Sequence, residues 1–297
     1  MKFKLNVLVA ALAVLATAGA HAAITNNNAP GTGNSSVLFV AWDTAKTTSL
    51  TVDLGVNMAD FLTASSFVNS TGALTGAGTT ASWSLNTNAR SVNGASVAGD
   101  YAWSSTFASF VAASGGSYSW GVIAADDVTG AISGTNTVQG RNAFASFNNI
   151  DQAKINNLTV ATPVSNSTAN FKNFVAGTVG GTHATNAEGA STATAGGGYL
   201  GSLLKGDFAA YSGWNYLSAI GASSSVFLVN QQANPVVFQI GETYGVDTLL
   251  TSGAASFTFD GNTLSYSIPA VPEPGTYAML IAGLAAIGFM VRRRNNG

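Results

Sequence analysis

Residues that could carry nucleophilic or acid–base catalysis are scarce in this sequence. It contains 2 histidines, His21 and His183, and no cysteine, so thiolate nucleophiles and cysteine-ligated zinc are excluded. A serine nucleophile needs a histidine base beside it. His183 lies in Gly-Gly-Thr-His-Ala-Thr, which is typical of a solvated loop, and no nucleophile motif accompanies it. We therefore predict no histidine-based catalytic or metal site.

Paired carboxylates are the other route to hydrolysis, since glycosidases place two acids about 5 to 10 Å apart. Glu188 and Glu242 are the only glutamates between the two termini, and Asp126-Asp127 is the only acidic doublet. Neighbouring strand residues point to opposite faces, so the doublet is better suited to opening the turn before Gly130. We predict that the protein is not an enzyme and uses no cofactor or metal. A secreted hydrolase using Asp and Glu remains an alternative.

Aromatic side chains are the remaining chemical resource. The sequence has 5 tryptophans, and exposed Trp or Tyr rings beside Asn could stack on sugar rings. The best candidates for glycan contact are Tyr211, Trp214 and Tyr216, which lie within one six-residue segment. The competing interpretation is that the rings fill a core otherwise built from Ala and Val. A carbohydrate-binding module using exposed Trp and Tyr is thus the first alternative, and the hydrolase is the second.

The charge of the chain excludes one large class of partner. Charged residues make up 8% of the 297 residues, against roughly 25% in an average soluble domain. Between the two termini, six basic side chains stand against twelve acidic ones, a net charge of −6. This sign is wrong for phosphate recognition, so nucleic acid is not an expected partner.

The elements that must position these side chains are predicted to be mainly strands. Apolar runs or apolar–polar alternation occur at 37–42, 49–54, 81–85, 118–124, 226–229 and 236–240. The clearest pattern is a hairpin at 256–268, where two alternating segments flank Asp260-Gly261-Asn262. We predict a mainly β fold, a single β-sandwich-like exported domain with short helices.

Helices are predicted to be minor. Large apolar residues have helical spacing in 106–113 and in 142–157. The segment 177–198, rich in Gly and Thr and containing His183, predicts a long mobile loop.

The first 22 residues have the three parts of a secretory signal peptide. Two lysines precede an apolar run at 5–18, and Ala20 and Ala22 supply the small residues that signal peptidase requires. We expect cleavage between Ala22 and Ala23. The apolar run would rise only about 21 Å as a helix, which is short of the roughly 30 Å hydrocarbon core.

The C-terminal region has a second three-part pattern. Pro272-Glu273-Pro274 precedes an apolar segment at 277–291, and Arg292, Arg293 and Arg294 follow it. The arginines stay on the cytoplasmic side by the positive-inside rule, so the segment is predicted to be a stop-transfer transmembrane helix with the body outside. Such a helix rises only about 22 Å, which makes it a poor permanent anchor. The two prolines hold the residue before each of them extended, which suits a protease groove.

These residues resemble the PEP-CTERM sorting domain: Pro-Glu-Pro at 272–274, an apolar segment with Ala-Gly-Leu at 282–284, and a basic cluster close behind it. The resemblance is confined mainly to 271–297. It implies a Gram-negative bacterium that makes extracellular polysaccharide, and recognition by exosortase, a membrane-embedded protease or transpeptidase-like enzyme that removes the helix. A weaker similarity to the bodies of other PEP-CTERM proteins lies in Trp42-Asp43 and Asp53-Leu54-Gly55, and it implies no activity.

The chain is therefore divided into a signal peptide at 1–22, a β-rich extracellular body at 23–270 and a sorting signal at 271–297. We expect export, cleavage by signal peptidase, a transient inner-membrane intermediate and processing by exosortase. The destination is then the outer surface or the extracellular matrix. There the body is expected to be structural or adhesive in an exopolysaccharide or biofilm matrix, with extracellular polysaccharide as its candidate partner.

Overall fold

The computed structural model describes residues 35–43, 45, 47–61, 72–126, 141–147, 174–175, 178, 181–186, 188–200, 217–231, 236–239, 243–244, 247–248, 255–269, 279, 281–285, 287 and 290–292. The signal-peptide residues Ala20, Ala22 and Ala23 lie outside these ranges.

Strands dominate the described chain, which confirms the predicted mainly β class. The N-terminal strands are β1 (Ser36–Asp43), β2 (Ser49–Asn57), β3 (Thr80–Ser84), β4 (Ala89–Val92), β5 (Ala95–Val97), β6 (Tyr101–Ala102), β7 (Tyr118–Asp126) and β8 (Arg141–Phe147). The later strands are β9 (Glu188–Ala193), β10 (Ser218–Ala219), β11 (Ser223–Gln231), β12 (Val236–Gln239), β13 (Thr243–Tyr244), β14 (Asp247–Thr248), β15 (Ser256–Phe259) and β16 (Thr263–Ser267). The helices are the α-helix α1 (Ser104–Ala113) and the 3₁₀ turns η1 (Met58–Phe61) and η2 (Gly181–Ala184).

Among the described residues, one 14-stranded sheet contains every strand except the separate pair β13–β14. Its main order is β5-β4-β3-β16-β15-β11-β8-β7-β1-β2-β9-β6, with β10 beside β7 and β12 beside β11. The two ends of this order, β5 and β6, are joined in the chain by residues 98–100 alone. The sheet must therefore curl until its two edges come close together.

The curled sheet packs face to face in the predicted sandwich-like manner. Phe39 of β1 and Phe259 of β15 belong to strands that are far apart in the sheet order, yet their ring centroids are 4.9 Å apart. Trp83 of β3 donates its indole N–H to the Leu54 carbonyl of β2 at 2.8 Å. Trp120 adds a further ring contact with Phe259 at 5.9 Å. The two halves thus enclose one aromatic core.

The hairpin β15–β16 forms as its sequence predicts. Phe257 and Phe259 are buried and alternate with outward Ser256 and Thr258. Gly261 has φ +105°, which suits glycine, and the Asp260 carboxylate accepts the N–H groups of Asn262 at 2.8 Å and Thr263 at 2.7 Å. The local turn chemistry and the period-two pattern agree, which explains why the prediction is confirmed.

The helix α1 confirms the prediction for 106–113 and begins two residues earlier. Phe107 and Phe110 point from one side of α1 into the core. The N-terminal N–H groups have an unusual cap, because Asn88 in the β3–β4 turn accepts the N–H of Trp103 at 2.7 Å and of Ser104 at 2.8 Å. A side chain from a neighbouring hairpin thereby satisfies donors that a helix start leaves unpaired.

Two predictions for local structure were wrong. The helix predicted at 142–157 is contradicted by β8, which pairs with β7 on one side and β11 on the other; residues 148–157 lie outside the described ranges. The mobile loop predicted at 177–198 is contradicted by β9, which pairs with β2 and β6. In both segments, hydrogen bonds to neighbouring strands override a weak local preference.

Candidate functional site

The sorting motif is described only in part. Pro272, Glu273, Pro274, Arg293 and Arg294 lie outside the described residues. Helical residues are found at 279, 281–285, 287 and 290–292, which include Arg292. Their large apolar side chains are exposed, at 76% for Met279 and 61% for Leu284. Within the described part of the chain, no helix is long and apolar enough to cross a membrane.

The body is packed up to the start of this tail. Ile268, directly after β16, is buried, donates its N–H to Thr79 at 2.9 Å and accepts the N–H of Gly78 at 3.1 Å. Pro269 is exposed. The last buried residue described before the tail, Ile268, is therefore three positions before 271, where the sorting signal was predicted to begin.

A buried polar cluster lies where the two edges of the sheet approach each other. It consists of Asp53, Arg90, Tyr101 and Glu188, with Gly55 between them, and is called the seam cluster below. The register of β1 and β2 shifts between Ser36 and Leu38, so β2 bulges around Gly55, whose φ is +63°. Arg90 of β4 donates to the Gly55 carbonyl at 2.8 Å, and this hydrogen bond is buried. The bulge thus links the two halves of the sheet.

Asp53 is the most deeply buried member of the seam cluster, at 1% exposure. Its carboxylate accepts the Gly55 N–H at 2.9 Å. Burial raises the pKa of Asp53 to about 7, and Glu188 acts in the same direction; the Gly55 N–H, the Ser36 side chain and the Arg90 charge oppose the shift. Desolvation of the charged form therefore outweighs the hydrogen bonds that favour it.

Tyr101 and Glu188 close the other side of the cluster. Both lie at the β6–β9 pairing, where Tyr101 is opposite Glu188. A methyl group on Gly55 would come within 2.8 Å of Glu188 Cγ and 3.3 Å of Tyr101 Cε1. Burial raises the pKa of Tyr101, against the charge and hydrogen bonding of Arg90. A side chain at position 55 would therefore be strained by the positive φ and crowded by Glu188.

Two carboxyl groups in one cluster, one of them with a pKa near neutrality, are an arrangement that acid–base enzymes use. Here, however, Asp53 and Glu188 are 1% and 8% exposed, and Arg90, at 5%, fills the space between the sheet halves. In this geometry Asp53 holds the Gly55 N–H within β2, and Arg90 ties the Gly55 carbonyl to β4.

His183 is not in a solvated loop, and that prediction was wrong. It lies in η2 against β9 and is buried, with Nδ1 3.1 Å from the Ser191 hydroxyl. Burial lowers the pKa of His183 to about 4, although hydrogen bonding to the backbone of Gly189 and Thr178 opposes the shift. The imidazole is therefore neutral at pH 7, held beside a serine that is itself buried.

The tryptophans divide between core and partial exposure. Trp83, Trp103 and Trp120 are fully buried, as the core interpretation predicted. Trp42 is half-buried and donates its indole N–H to the Tyr199 hydroxyl at 3.1 Å. The predicted glycan-contact residues Tyr211, Trp214 and Tyr216 lie outside the described residues.

Sequence reasoning missed Arg90, Tyr101 and Ser191 as site residues. Arg90 is one of only two arginines between the termini, and its place in an otherwise Ser- and Val-rich strand was a usable signal. Tyr101 and Ser191 carry no comparable signal, because only the pairing of β6, β9 and η2 brings them to their partners. Within the described ranges, no three His, Asp or Glu side chains are grouped so as to hold a metal ion.

Comparison with known families bears on the tail. The family model of the PEP-CTERM protein-sorting motif matches residues 270–294, which confirms the resemblance seen in Pro-Glu-Pro, the apolar segment and the arginines. No curated protein and no solved structure matches the chain. The motif indicates a secreted protein that is sorted to the cell envelope or outside, and it implies processing by exosortase.

Proposed function

We propose that this chain is a structural or adhesive protein of the outer surface or extracellular matrix of a Gram-negative bacterium. Signal peptidase removes 1–22 during export, and 277–291 holds the body briefly at the inner membrane. Exosortase then processes the tail and releases or transfers the body. The observation that carries the proposal is the PEP-CTERM match at residues 270–294.

The junction between body and tail supports this order of events. Among the described residues before the motif, Ile268 is the last that is buried, and it is tied to Gly78 and Thr79. Cleavage beyond it therefore leaves every described strand intact. The described helical residues of the tail expose their apolar side chains, so the body does not cover them. A detachable tail of this kind suits transient rather than permanent attachment.

A non-enzymatic role for the body is part of the proposal. The candidate acids Asp53 and Glu188 and the candidate base His183 are all buried. Asp53 and Arg90 each hold a part of the Gly55 bulge, which gives them a structural purpose. The carbohydrate-binding alternative of the sequence keeps its candidate residues Tyr211, Trp214 and Tyr216, but three other tryptophans are in the core and cannot stack on a sugar.

The proposal is tested by altering the motif in the producing bacterium. The double variant Glu273→Ala/Pro274→Ala should relax the extended segment and remove its charge while the apolar segment is unchanged. We expect the unprocessed chain to accumulate at the inner membrane with its body outside, because the arginines still set the orientation. Fractionation and intact mass of the C-terminus report both effects.

Pro269→Ala is the matched control, since Pro269 is exposed and three residues before the motif. It should be processed at the wild-type rate. A second comparison removes residues 277–297, which should send the body directly to the exported soluble fraction. If the double variant is trimmed and delivered like wild type, the motif is a linker and the proposal is wrong.

A further inference from the structure

The outward side of six adjacent strands carries hydroxyl groups in register. The paired positions on β11, β15, β16, β3, β4 and β5 form one row: Ser223, Thr258, Ser265, Ser82, Ser91 and Ser96. A second row on the same side contains Ser225, Ser256, Ser267 and Thr80. These rows, together with the pair Ser84 and Thr263, are called the hydroxyl face.

The hydroxyl face is the solvent side of the sheet. Its residues alternate with buried residues such as Phe257, Leu264 and Trp83, and all of them are half-buried or exposed. Where β15, β16, β3 and β4 pair with one another, Ala89 is the one outward position without a hydroxyl. The face therefore displays hydrogen-bonding groups and no charged side chain within its rows.

The geometry of a sheet gives this face a regular spacing. Neighbouring strands lie about 4.8 Å apart and outward positions on one strand about 6.8 Å apart, so a row of this length spans about 24 Å. Some hydroxyls are linked sideways, with 2.8 Å between the oxygens of Ser82 and Ser91 and 3.3 Å between those of Ser84 and Thr263. Each hydroxyl has one donor and two acceptor positions, so linked groups still offer acceptors to solvent.

The chemistry of the face selects among ligand classes. A polyanion would find no cation in the rows, and an apolar partner would strip the hydroxyls of water without replacing those hydrogen bonds. An uncharged polymer with hydroxyl groups has no charged group to desolvate when it binds. It can replace its hydrogen bonds to water by hydrogen bonds to the rows. Each such bond contributes little, so only a repeating ligand that meets many of them at once would bind well.

We propose that the hydroxyl face binds an extended neutral polysaccharide. The proposal rests on the proposed function only for placing the body outside the cell, and it adds the surface and the ligand class for an adhesive role. Binding is a property of the purified chain. A failure to bind the polysaccharide can therefore be distinguished from a failure of sorting, which is measured by fractionation.

The test uses the full chain purified in a polyoxyethylene detergent, which has no sugar headgroup. Insoluble cellulose, (1→3)-β-glucan, mannan and agarose serve as neutral probes in a pull-down, and calcium alginate serves as the charged comparison. Ser265→Lys places a long charged side chain in the middle of the rows and should lower the association constant about tenfold. Ser265→Thr keeps the hydroxyl and should bind like wild type.

Thr192→Lys is the matched control for added charge, because Thr192 is exposed on β9 in the other half of the sheet; it should bind like wild type. The proposal is overturned if none of the neutral polymers is bound, if alginate is bound equally well, or if Ser265→Lys binds unchanged. It is also overturned if Ser265→Lys abolishes self-association of the chain while no glycan is bound, because the occupant is then a second copy.

Discussion

Two buried ionisable side chains, Asp53 and His183, have pKa values shifted in opposite directions. In the folded body the pKa of His183 is lowered from 6.5 to about 4, so the unfolded chain takes up this proton first. Stability from neutral His183 is complete above about pH 6.5 and is lost as the pH falls to 4, about 3 kcal/mol in all.

Asp53 has the opposite effect over nearly the same interval. Its pKa is raised from 3.8 to about 7, so the folded chain holds this proton more tightly than the unfolded chain. The stability from protonated Asp53 is complete below about pH 3.8 and is lost as the pH rises to 7, about 4 kcal/mol in all. In the wild-type body the two effects largely cancel.

Substitution should separate the two effects. Relative to wild type, the free energy of unfolding of Asp53→Asn should increase by about 4 kcal/mol between pH 4 and 7. That of His183→Gln should decrease by about 3 kcal/mol over the same interval. Urea titrations of residues 23–270, followed by tryptophan fluorescence at several pH values, measure both. If the difference in unfolding free energy between a variant and the wild type does not change with pH, the shifted pKa of the substituted residue is contradicted.

Gly55 provides a steric test of the seam cluster. Gly55→Ala must accept φ +63° and a Cβ 2.8 Å from Glu188 Cγ, so we expect a loss of about 2–4 kcal/mol in the free energy of unfolding. Gly94→Ala is the control, because Gly94 has φ +79° and no atom within 4 Å of the new Cβ; it should cost only about 1–2 kcal/mol. Equal losses in denaturant titrations would show that the cluster does not crowd position 55.

The helix α1 depends on a residue outside it, and two asparagines make this testable. Asn88 and Asn93 both have positive φ, 54° and 50°, so replacement by Gly removes the side chain without adding strain. Asn88→Gly loses both N–H contacts to Trp103 and Ser104 and should lose about 1–2 kcal/mol of stability. Asn93→Gly loses only an exposed bond to the Thr80 N–H.

We therefore expect Asn93→Gly to unfold within about 0.5 kcal/mol of wild type. Thermal or urea unfolding monitored by far-ultraviolet circular dichroism gives both values. If the two variants are equally stable, Asn88 does not cap the helix.

The elements also show where local pattern and pairing disagree. The segments 142–147 and 188–193 are rich in Ala, Ser and Gly, and such residues prefer neither helix nor strand strongly. Their place in the chain order lets β8 bridge β7 and β11, and β9 bridge β2 and β6. Those pairings make both segments strands, and no short window of the sequence contains this information.

For the molecule as a whole, the body should be independent of its tail. The core is enclosed by strands up to β16 and ends at Ile268, whereas the described tail residues expose their apolar side chains. Residues 23–270 should fold without metal, show a mainly β circular dichroism spectrum, and unfold at the urea midpoint of the full chain in detergent. A spectrum dominated by helix, or a lower midpoint, would show that the tail takes part in the fold.

The sequence by itself determined what depends on neighbouring residues. The sorting pattern at 272–294, the mainly β class, α1 and the hairpin β15–β16 were all predicted, because proline geometry, alternation and turn residues act over a few positions. Burial in a core was the competing interpretation for the tryptophans as a group, and Trp83, Trp103 and Trp120 follow it. Each of these features is complete within a short window of the chain.

Only the tertiary structure decided the rest. Asp53, Arg90 and Glu188 are far apart in sequence and meet because the sheet curls until its edges approach each other. The packing of η2 against β9 buries His183, and the register of six paired strands places Ser223 in one row with Ser96. Burial and strand register arise from contacts between distant segments, so the pKa values, the seam cluster and the hydroxyl face have no signature in any single stretch of sequence.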